Sequence, residues 1–418
     1  MAYESGFIKR KPRKIDASKF LDIVCLTSVQ GAPSYNDLAS RFFTLHQVSA
    51  SRQAFWKRVD DNCVSFFKSV LENMIHKSYQ QFDVEAVKNS GKFTRVIVQD
   101  STIVKLPLRL FCVYSGVSNA HKSVCNARIQ CVYELLSGSF LYFSIDPYSK
   151  NDLAAASELE LQDGDLVLRD RGYSTYNEIQ RHINANADCI YRHSFKSVYL
   201  DPVTFESIDL TKLLKRQGKL DMEVCLNNKE KTKIRLIAEP VSEQVANQRR
   251  RKAKKEMHGH NPAKELLFLM SWTIFITTIP PEKADAQRIM KIYRLRWKIE
   301  IIFKIMKSNM CFAKLHNVSF NQLQVLLIAR FILIILTAQR IYQPYYLKIK
   351  SQFNKHLSMG KFIDFILKNP EFFNKLIPLS RKSKAREKDM IIQIARYCCY
   401  DKRKRLNICQ QLNALALS

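Results

Sequence analysis

The sequence is short of negative charge: 38 Asp and Glu stand against 67 Lys and Arg, leaving a formal net charge of +29. An excess of that size disfavours a partner of the same sign and points to a polyanion, nucleic acid first and an anionic membrane surface second. No Cys-x-x-Cys pair occurs among the 11 cysteines, whose number is odd and whose spacing is irregular. That argues against a disulfide framework and a zinc site, and predicts free thiols in a reducing cytosol. The most hydrophobic run, Val325 to Ala338, is interrupted by Arg330 and is too short to span a bilayer; it predicts a buried core helix. The opening MAYESGFIKRKPRK lacks the apolar segment of a signal peptide, so the expected location is the cytoplasm, with no membrane partner. Internal repeats and low-complexity linkers are missing too. What is present is a globular composition, 46% hydrophobic over 418 residues, enough for roughly two to four domains with real cores.

Residues 1–20 carry Lys9, Arg10, Lys11, Arg13 and Lys14, read as a flexible basic arm able to touch phosphates. The stretches 34–43 and 49–58 read as helices with Ser caps. They resemble a helix-turn-helix with Ser51, Arg52, Gln53, Lys57 and Arg58 as recognition groups, or a plain helical bundle with solvated charges. From Thr94 the pattern turns to strands. TRVIVQDSTIVKLP is the nearly continuous apolar run of a strand buried on both faces, with Asp100 inside it. ARIQCVYELL (127–136) and SFLYFSIDP (139–147) flank the hairpin signal Ser137-Gly138. A helix over 152–161 precedes a second buried strand, DLVLRD, which ends at Asp170. A turn at Arg171-Gly172-Tyr173 leads to a helix over 176–185, and DCIYRHSF adds a strand carrying Arg192. This alternation behind a hairpin predicts an α/β sheet of mixed direction.

LDMEVCL and KIRLIAEP read as neighbouring antiparallel strands. A basic helical segment follows, with Arg249, Arg250, Arg251, Lys252, Lys254 and Lys255. ELLFLMSWTIFITTIP then returns as buried strands carrying Trp272, and Pro280-Pro281 opens a helix with Glu282 and Asp285 in its first turn. From about 311 the chain is helical. There, Val325–Ala338 and Tyr342–Tyr346 suit either core or a dimer contact.

The helix from Tyr293 to Lys307, YRLRWKIEIIFKIMK, holds an unusual set of polar groups. At about 100° per residue, Arg296, Glu300 and Lys307 fall within about 60° of Tyr293. Ile292, Leu295, Ile299, Ile302, Phe303 and Met306 form an apolar face beside them. A solvated face with a Glu300–Lys304 ion pair gives the same pattern. Asp100 and Asp170 add to the argument, because a carboxylate in an apolar strand is costly when unpaired. Each alone could be a cap or an ion-pair partner. Together, Asp100, Asp170 and Glu300 would hold two divalent cations through oxygen. Two such ions, about 3.5–4 Å apart, activate a water or a 3′-hydroxyl and stabilise the leaving oxygen of a phosphodiester. Tyr293, Arg296 and Lys307 would hold phosphates beside them.

The spacing Tyr293-x2-Arg296-x3-Glu300-x6-Lys307 resembles the Tyr-Arg-Glu-Lys signature of DDE transposases of the IS-four group of bacterial insertion sequences. The likeness extends to the flanking RWKIEIIFKIMKS, to DST at 100–102, DRGY at 170–173, YRHSFK at 191–196, the RLIAEP strand with its basic follow-on, and IFITTIP at 274–280. The resemblance implies a ribonuclease-H-like fold in which Asp100, Asp170 and Glu300 are the catalytic triad and bind two Mg2+ (or Mn2+) ions. It implies that Tyr293, Arg296 and Lys307 grip the DNA end, and that the stretch between Asp170 and Glu300 is the family's β-rich insertion. There Trp272 would either stack on a flipped base, worth about 1–3 kcal/mol, or fill the core of an apolar strand. Arg192, Arg249, Arg250, Arg251, Lys252, Arg52, Gln53 and Lys57 are the further DNA-binding candidates.

The expected architecture is α/β: a ribonuclease-H-like mixed sheet core over 91–196 and 265–312, with a β-rich insertion over 197–264 that includes the basic segment. Residues 1–90 form a helical, DNA-end-binding region, and 313–418 a helical region suited to dimerisation. The expected activity is transposition of a bacterial insertion sequence, with metal-dependent cleavage and strand transfer. The expected partners are double-stranded DNA, both element inverted-repeat ends and target, and a second copy of the chain in a synaptic complex, at the nucleoid. The alternatives are a metal-dependent nuclease without strand transfer and a domesticated, non-catalytic DNA-binding protein. Retention of all the acidic and signature residues argues against the last.

Overall fold

The computed structural model describes residues 1–80, 93–116, 123–256, 261–312, 314–315, 317–368 and 384–400. Helices come first. In α1 (Ala17–Ser28) the Asp16 carboxylate accepts the Lys19 amide at 2.8 Å. In α2 (Tyr35–His46) Ser34 and Asp37 form a full capping box, as the serine signal predicts. Ser51 caps α3 (Arg52–Trp56), which is only five residues long and far shorter than the expected recognition helix; α4 (Asp61–Gln80) follows.

Strands then take over. β1 (Arg95–Lys105) precedes the hairpin of β2 (Asn126–Glu134) and β3 (Ser139–Pro147), turned at Gly138, whose φ of 68° suits a residue without a side chain. α5 (Asp152–Ala156) stops five residues short of the expected end. β4 (Asp165–Leu168), α6 (Tyr176–Asn184) and β5 (Asp188–Arg192) alternate as read. β6 (Tyr199–Leu200), α7 (Leu210–Gln217), β7 (Leu220–Leu226), β8 (Lys233–Pro240) and α8 (Glu243–Glu256) continue the chain. The apolar run after it splits, contrary to the reading of it as strand throughout, into α9 (Lys264–Leu269) and β9 (Trp272–Thr277). The rest is helical: α10 (Ala286–Arg294), α11 (Trp297–Asn309), α12 (Phe320–Ile335), a π-helical stretch Leu336–Tyr342, α13 (Gln343–Phe353), α14 (Met359–Lys368) and α15 (Lys384–Tyr397).

The chain divides into two compact units. The first comprises Met1–Val84, Ser101–Lys150 and Lys298–Leu412. Its centre is α12, buried from Leu323 to Ile335 because α1, α4 and β3 pack around it. The helical run Phe320–Phe353 is long and apolar enough to cross a membrane by length and composition, yet 88% of its most apolar window is buried in protein. The basic arm is folded rather than loose: Phe7 stacks on Phe66 at 4.9 Å, and Ile8 and Ile15 are buried. Tyr342, Tyr345 and Tyr346 pack with Phe362, Ile366 and Ile394, a core contact within this unit.

Of the described residues, the second unit comprises 93–100, 151–256 and 261–297. It is built on a mixed sheet in the order β1-β4-β5-β9-β8-β7-β6. β1, β4 and β5 run parallel, and the remaining neighbours are antiparallel, β7 with β8 as read. The segment expected as a separate insertion therefore extends the sheet: β8 pairs along the whole of β9, and β9 pairs with β5. One face of that sheet is packed by Tyr173, Ile179, Tyr191, Leu214, Leu236 and Ile276.

Candidate active site

Three parallel strands of the second unit run in register. Val98 pairs with Leu168, and Leu168 with Ile190. Two residues further along each strand stand Asp100, Asp170 and Arg192. Residues two apart on a strand share a face, and Asp170 is still extended (φ −75°, ψ 163°). The carboxyl ends of parallel strands are where α/β sheets bind ligands, because the chain turns away there and leaves a crevice.

Asp170 precedes a 3-10 turn, Arg171–Tyr173, yet its side chain makes no capping hydrogen bond, so a cap does not account for it. For Asp100 the ion-pair reading holds. Arg296 Nη1 stands 3.1 Å from its Oδ2, and the two side chains are 9% and 18% exposed.

Arg296 gets there because the expected single helix over Tyr293–Lys307 is broken. Asp285, expected inside the first turn, instead caps α10 by accepting the Arg288 amide at 2.7 Å. At its other end the Leu295 and Arg296 amides reach back only three residues, to the carbonyls of Ile292 and Tyr293. α11 begins afresh at Trp297. The predicted polar stripe is therefore cut in two, and Tyr293 does not face solvent. It is 3% exposed, and its hydroxyl donates to the carbonyl of Arg169 at 3.2 Å. Arg192 and Arg296 lie 5.6 and 5.9 Å from its ring centre. Burial, with Asp170 adding to it, pushes the phenol up to about 12 against the pull of the two cations, so it stays a neutral donor. Where the sequence suggested a phosphate-gripping group, the structure has a buried brace on the backbone just before Asp170.

Glu300 and Lys307 lie on α11, in the first unit from Lys298 onward; Glu300 is half-buried and Lys307 exposed. The apolar side of this helix is as predicted, with Ile299, Ile302, Phe303 and Met306 buried. Trp272 opens β9, half-buried against the sheet core with the Phe268 ring 6.3 Å away, the core role its apolar strand suggested. Arg249 donates to the Trp272 carbonyl at 2.8 Å and to Thr273 Oγ1 at 3.1 Å. Arg250 bonds the Leu267 carbonyl, Glu243 and Asn247. Arg249 fastens α8 to the sheet and Arg250 fastens it to α9, whereas Arg251 and Lys252 are exposed. Arg52, Gln53 and Lys57 are exposed around the buried Phe55.

Sequence reasoning missed Arg169. It is completely buried, between the core strand β4 and Asp170, and four groups bond its guanidinium. An arginine in so apolar a strand was the available signal, since a buried cation requires partners. Among the described residues no group of three or more His, Cys, Asp or Glu closes on one point. The two aspartates are the oxygen donors that the strand ends of this unit supply.

Comparison with known proteins places this geometry. Residues 91–336 match the transposase DDE domain family. The transposase for insertion sequence element IS231E of Bacillus thuringiensis subsp. finitimus is 25% identical over 395 residues, 88% of this chain and 82% of that protein. The transposase for element IS1151 of Clostridium perfringens is 25% identical over 369 residues, 82% of this chain and 77% of its own length. A piggyBac transposase synaptic complex with hairpin DNA aligns with 98% of this chain and 83% of its own at 13% identity and a TM-score of 0.41, a likeness that fixes no detail of the fold. With more than half of its length matched, and with aspartates level on adjacent strands inside the matched region, the chain belongs to the DDE transposase family.

Proposed function

We propose that this transposase cuts DNA at the ends of an insertion sequence and joins the freed 3′-hydroxyls to target DNA. The observation that carries the reading is the placement of Asp100 and Asp170 at matching positions, each two residues past the last paired residues, Val98 and Leu168, of adjacent parallel strands. Both are hard carboxylate donors, the kind Mg2+ and Mn2+ take, and Glu300 is the third acidic residue of the set. A pair of such ions would lower the pKa of a bound water or hydroxyl and take up charge on the leaving oxygen. The protein's own groups do the rest. Arg296, 3.1 Å from Asp100, and Arg192, level with Asp170, bring guanidinium forks to the strand ends, where a scissile phosphate would be held. Tyr293 fixes the backbone before Asp170. Parallel β1, β4 and β5, with α6 between the last two, support the ribonuclease-H-like reading of the core.

The folded arm and α3 line a cleft of about 890 Å³ whose walls carry Lys9, Arg10, Lys11, Arg13, Lys14, Lys57 and Arg58. We assign this cleft, with the exposed Arg52 and Gln53, to the phosphate backbone of the element ends. Arg251, Lys252 and Lys307 are further phosphate contacts. A homodimer on the DNA and a cytoplasmic, nucleoid-associated location complete the reading.

The test combines labelled DNA carrying the element ends, a target plasmid, and either Mg2+ or EDTA. Metal-dependent nicking with joined products is expected. Nicking without joining would make the protein a nuclease, and EDTA-insensitive binding without cleavage would leave a DNA-binding protein. Asp100→Ala, Asp170→Ala and Glu300→Ala should each lose cleavage to background while keeping end binding. Normal cutting by any of them removes that residue from the catalytic set.

A further inference from the structure

Behind the two aspartates, on the opposite face of the sheet, their immediate chain neighbours are joined. Gln99 precedes Asp100 and Arg169 precedes Asp170. Both are buried, at 1% and 0% exposure. Arg169 Nε donates to Gln99 Oε1 at 2.8 Å, and Gln99 Nε2 donates to the Ala155 carbonyl at 3.0 Å. The remaining guanidinium nitrogens donate to Glu178 Oε1 at 3.0 Å, the Tyr191 hydroxyl at 3.4 Å and the Ala156 carbonyl at 3.0 Å. The Arg169 carbonyl in turn accepts the Tyr293 hydroxyl.

β4 ends at Leu168, where its paired register with β1 stops, two residues short of Asp170. The side-chain fork continues the pairing one residue further, at Gln99 and Arg169. Because side chains alternate along a strand, a fork held on one face fixes the direction in which the next residues project on the other. The geometry points to Arg169 as a positioning residue: through Gln99 it holds the end of β4 in register with β1, and so sets the distance and orientation of the Asp100 and Asp170 carboxylates for a divalent cation. This rests on the reading of those carboxylates as metal ligands. Residues that orient ligands from behind typically change metal affinity by about 10–100-fold when altered.

The experiment measures Mn2+ binding to the full-length protein by electron paramagnetic resonance, beside thermal unfolding and end-DNA binding, for wild type, Arg169→Lys, Gln99→Leu and Asp100→Ala. Lysine keeps the charge and loses the fork. Leucine removes the acceptor and leaves Arg169 its bonds to Glu178, Tyr191 and Ala156. Both are expected to weaken Mn2+ binding by about 10-fold or more, to raise the Mg2+ concentration for half-maximal cleavage in parallel, and to leave end-DNA binding within about twofold. If Arg169→Lys does not fold, Gln99→Leu decides alone. Mn2+ affinity within twofold of wild type in the folded variant, even with a lowered unfolding temperature, means a merely structural role and overturns the inference. Asp100→Ala separates the two claims. If it binds Mn2+ as wild type does, the metal reading fails and the inference falls with it. If it binds weakly while both fork variants bind normally, only the inference fails.

Discussion

Arg330 and Arg169 are both fully buried, one in each unit, and their partners differ in kind. Arg330, on α12, donates to backbone carbonyls: Ser28 at 2.9 Å, Gly31 at 2.6 Å and Cys311 at 2.8 Å. They lie at and just after the end of α1 and in the loop after α11; the Ser28 and Cys311 carbonyls also accept the Gly31 and Lys314 amides, and the guanidinium ties the segments together. Burial depresses its pKa to about 10. Arg169 is also pulled down by burial, but Tyr191 and Glu178 beside it carry the balance upward. Its partners are three side chains and the Ala156 carbonyl, around a strand end two residues before a candidate ligand. The same residue type thus closes a helical core in one unit and aligns chemical groups in the other. Partner identity, not burial, tells the two apart.

The largest effect is expected where the role is purely structural. Arg330→Met removes three charged hydrogen bonds between segments of the helical core and should cost about 3–5 kcal/mol, read as lost hydrogen-exchange protection in α1 and α12. Its Mn2+ affinity should match wild type. If Arg330→Met weakens Mn2+ binding as Arg169→Lys does, the contrast between the arginines collapses.

Acid should next distinguish the units. His182 and His193, both in the sheet unit, are depressed to about 4 by burial, His182 also by the Arg169 cation. His182 Nδ1 lies 2.7 Å from the Glu178 carbonyl, and its Nε2 is buried with no hydrogen-bond partner, so a second proton would have nowhere to bond. A base whose folded pKa is depressed binds its proton more readily when unfolded. Its contribution is complete above pH 6.5 and is lost as pH falls from there toward 4, amounting for His182 to about 3 kcal/mol. Hydrogen exchange in β4, β5 and α6 at pH 7 and pH 5 should show the loss, and His182→Gln should flatten it. Equal acid sensitivity in wild type and variant would refute the assignment.

The smallest effect concerns where each unit presents positive charge. Lys9→Ala with Lys11→Ala should lower the slope of log K against log salt for end DNA by about 2 and leave cleavage at saturating DNA unchanged. Arg192→Gln should change that slope by about 1 at most and lower cleavage instead. Reversed outcomes would exchange the roles of arm and strand end.

Local signals in the sequence were legible because they are settled by neighbours in the chain. The Ser34 capping box, the Gly138 hairpin and the alternation around β4 and β5 all formed where their residues indicate. Asp100 and Asp170 stood out for the same reason, as carboxylates in apolar strands. What could not be read depends on distant partners. Nothing between Ile292 and Ile299 is a helix breaker, yet the helix breaks. Tyr293 has a partner at Arg169 and Arg296 one at Asp100, and a straight helix carries both side chains on one stripe, whereas here one is buried under the sheet and the other turned to a strand end. The run ELLFLM is apolar enough for helix or strand, and only packing decides. The units themselves interleave, because β1 enters one with Arg95 and leaves in the other with Lys105.

The fork between Gln99 and Arg169 also makes chain length near the site a matter of parity. Deleting one residue between Val96 and Gln99 would leave composition and hydrophobicity nearly unchanged. It would nonetheless swap the faces of β1, turning Asp100 inward toward Glu178 and leaving Arg169 opposite the wrong neighbour. Deleting two would restore the faces but draw Asp100 back by about 6.6 Å, a full pleat from Asp170. Single-residue insertions and deletions in 95–100 and 165–170 should therefore be far more damaging than most substitutions there, and a deletion scan scored by cleavage would trace the site as a frame rather than as a set of side chains.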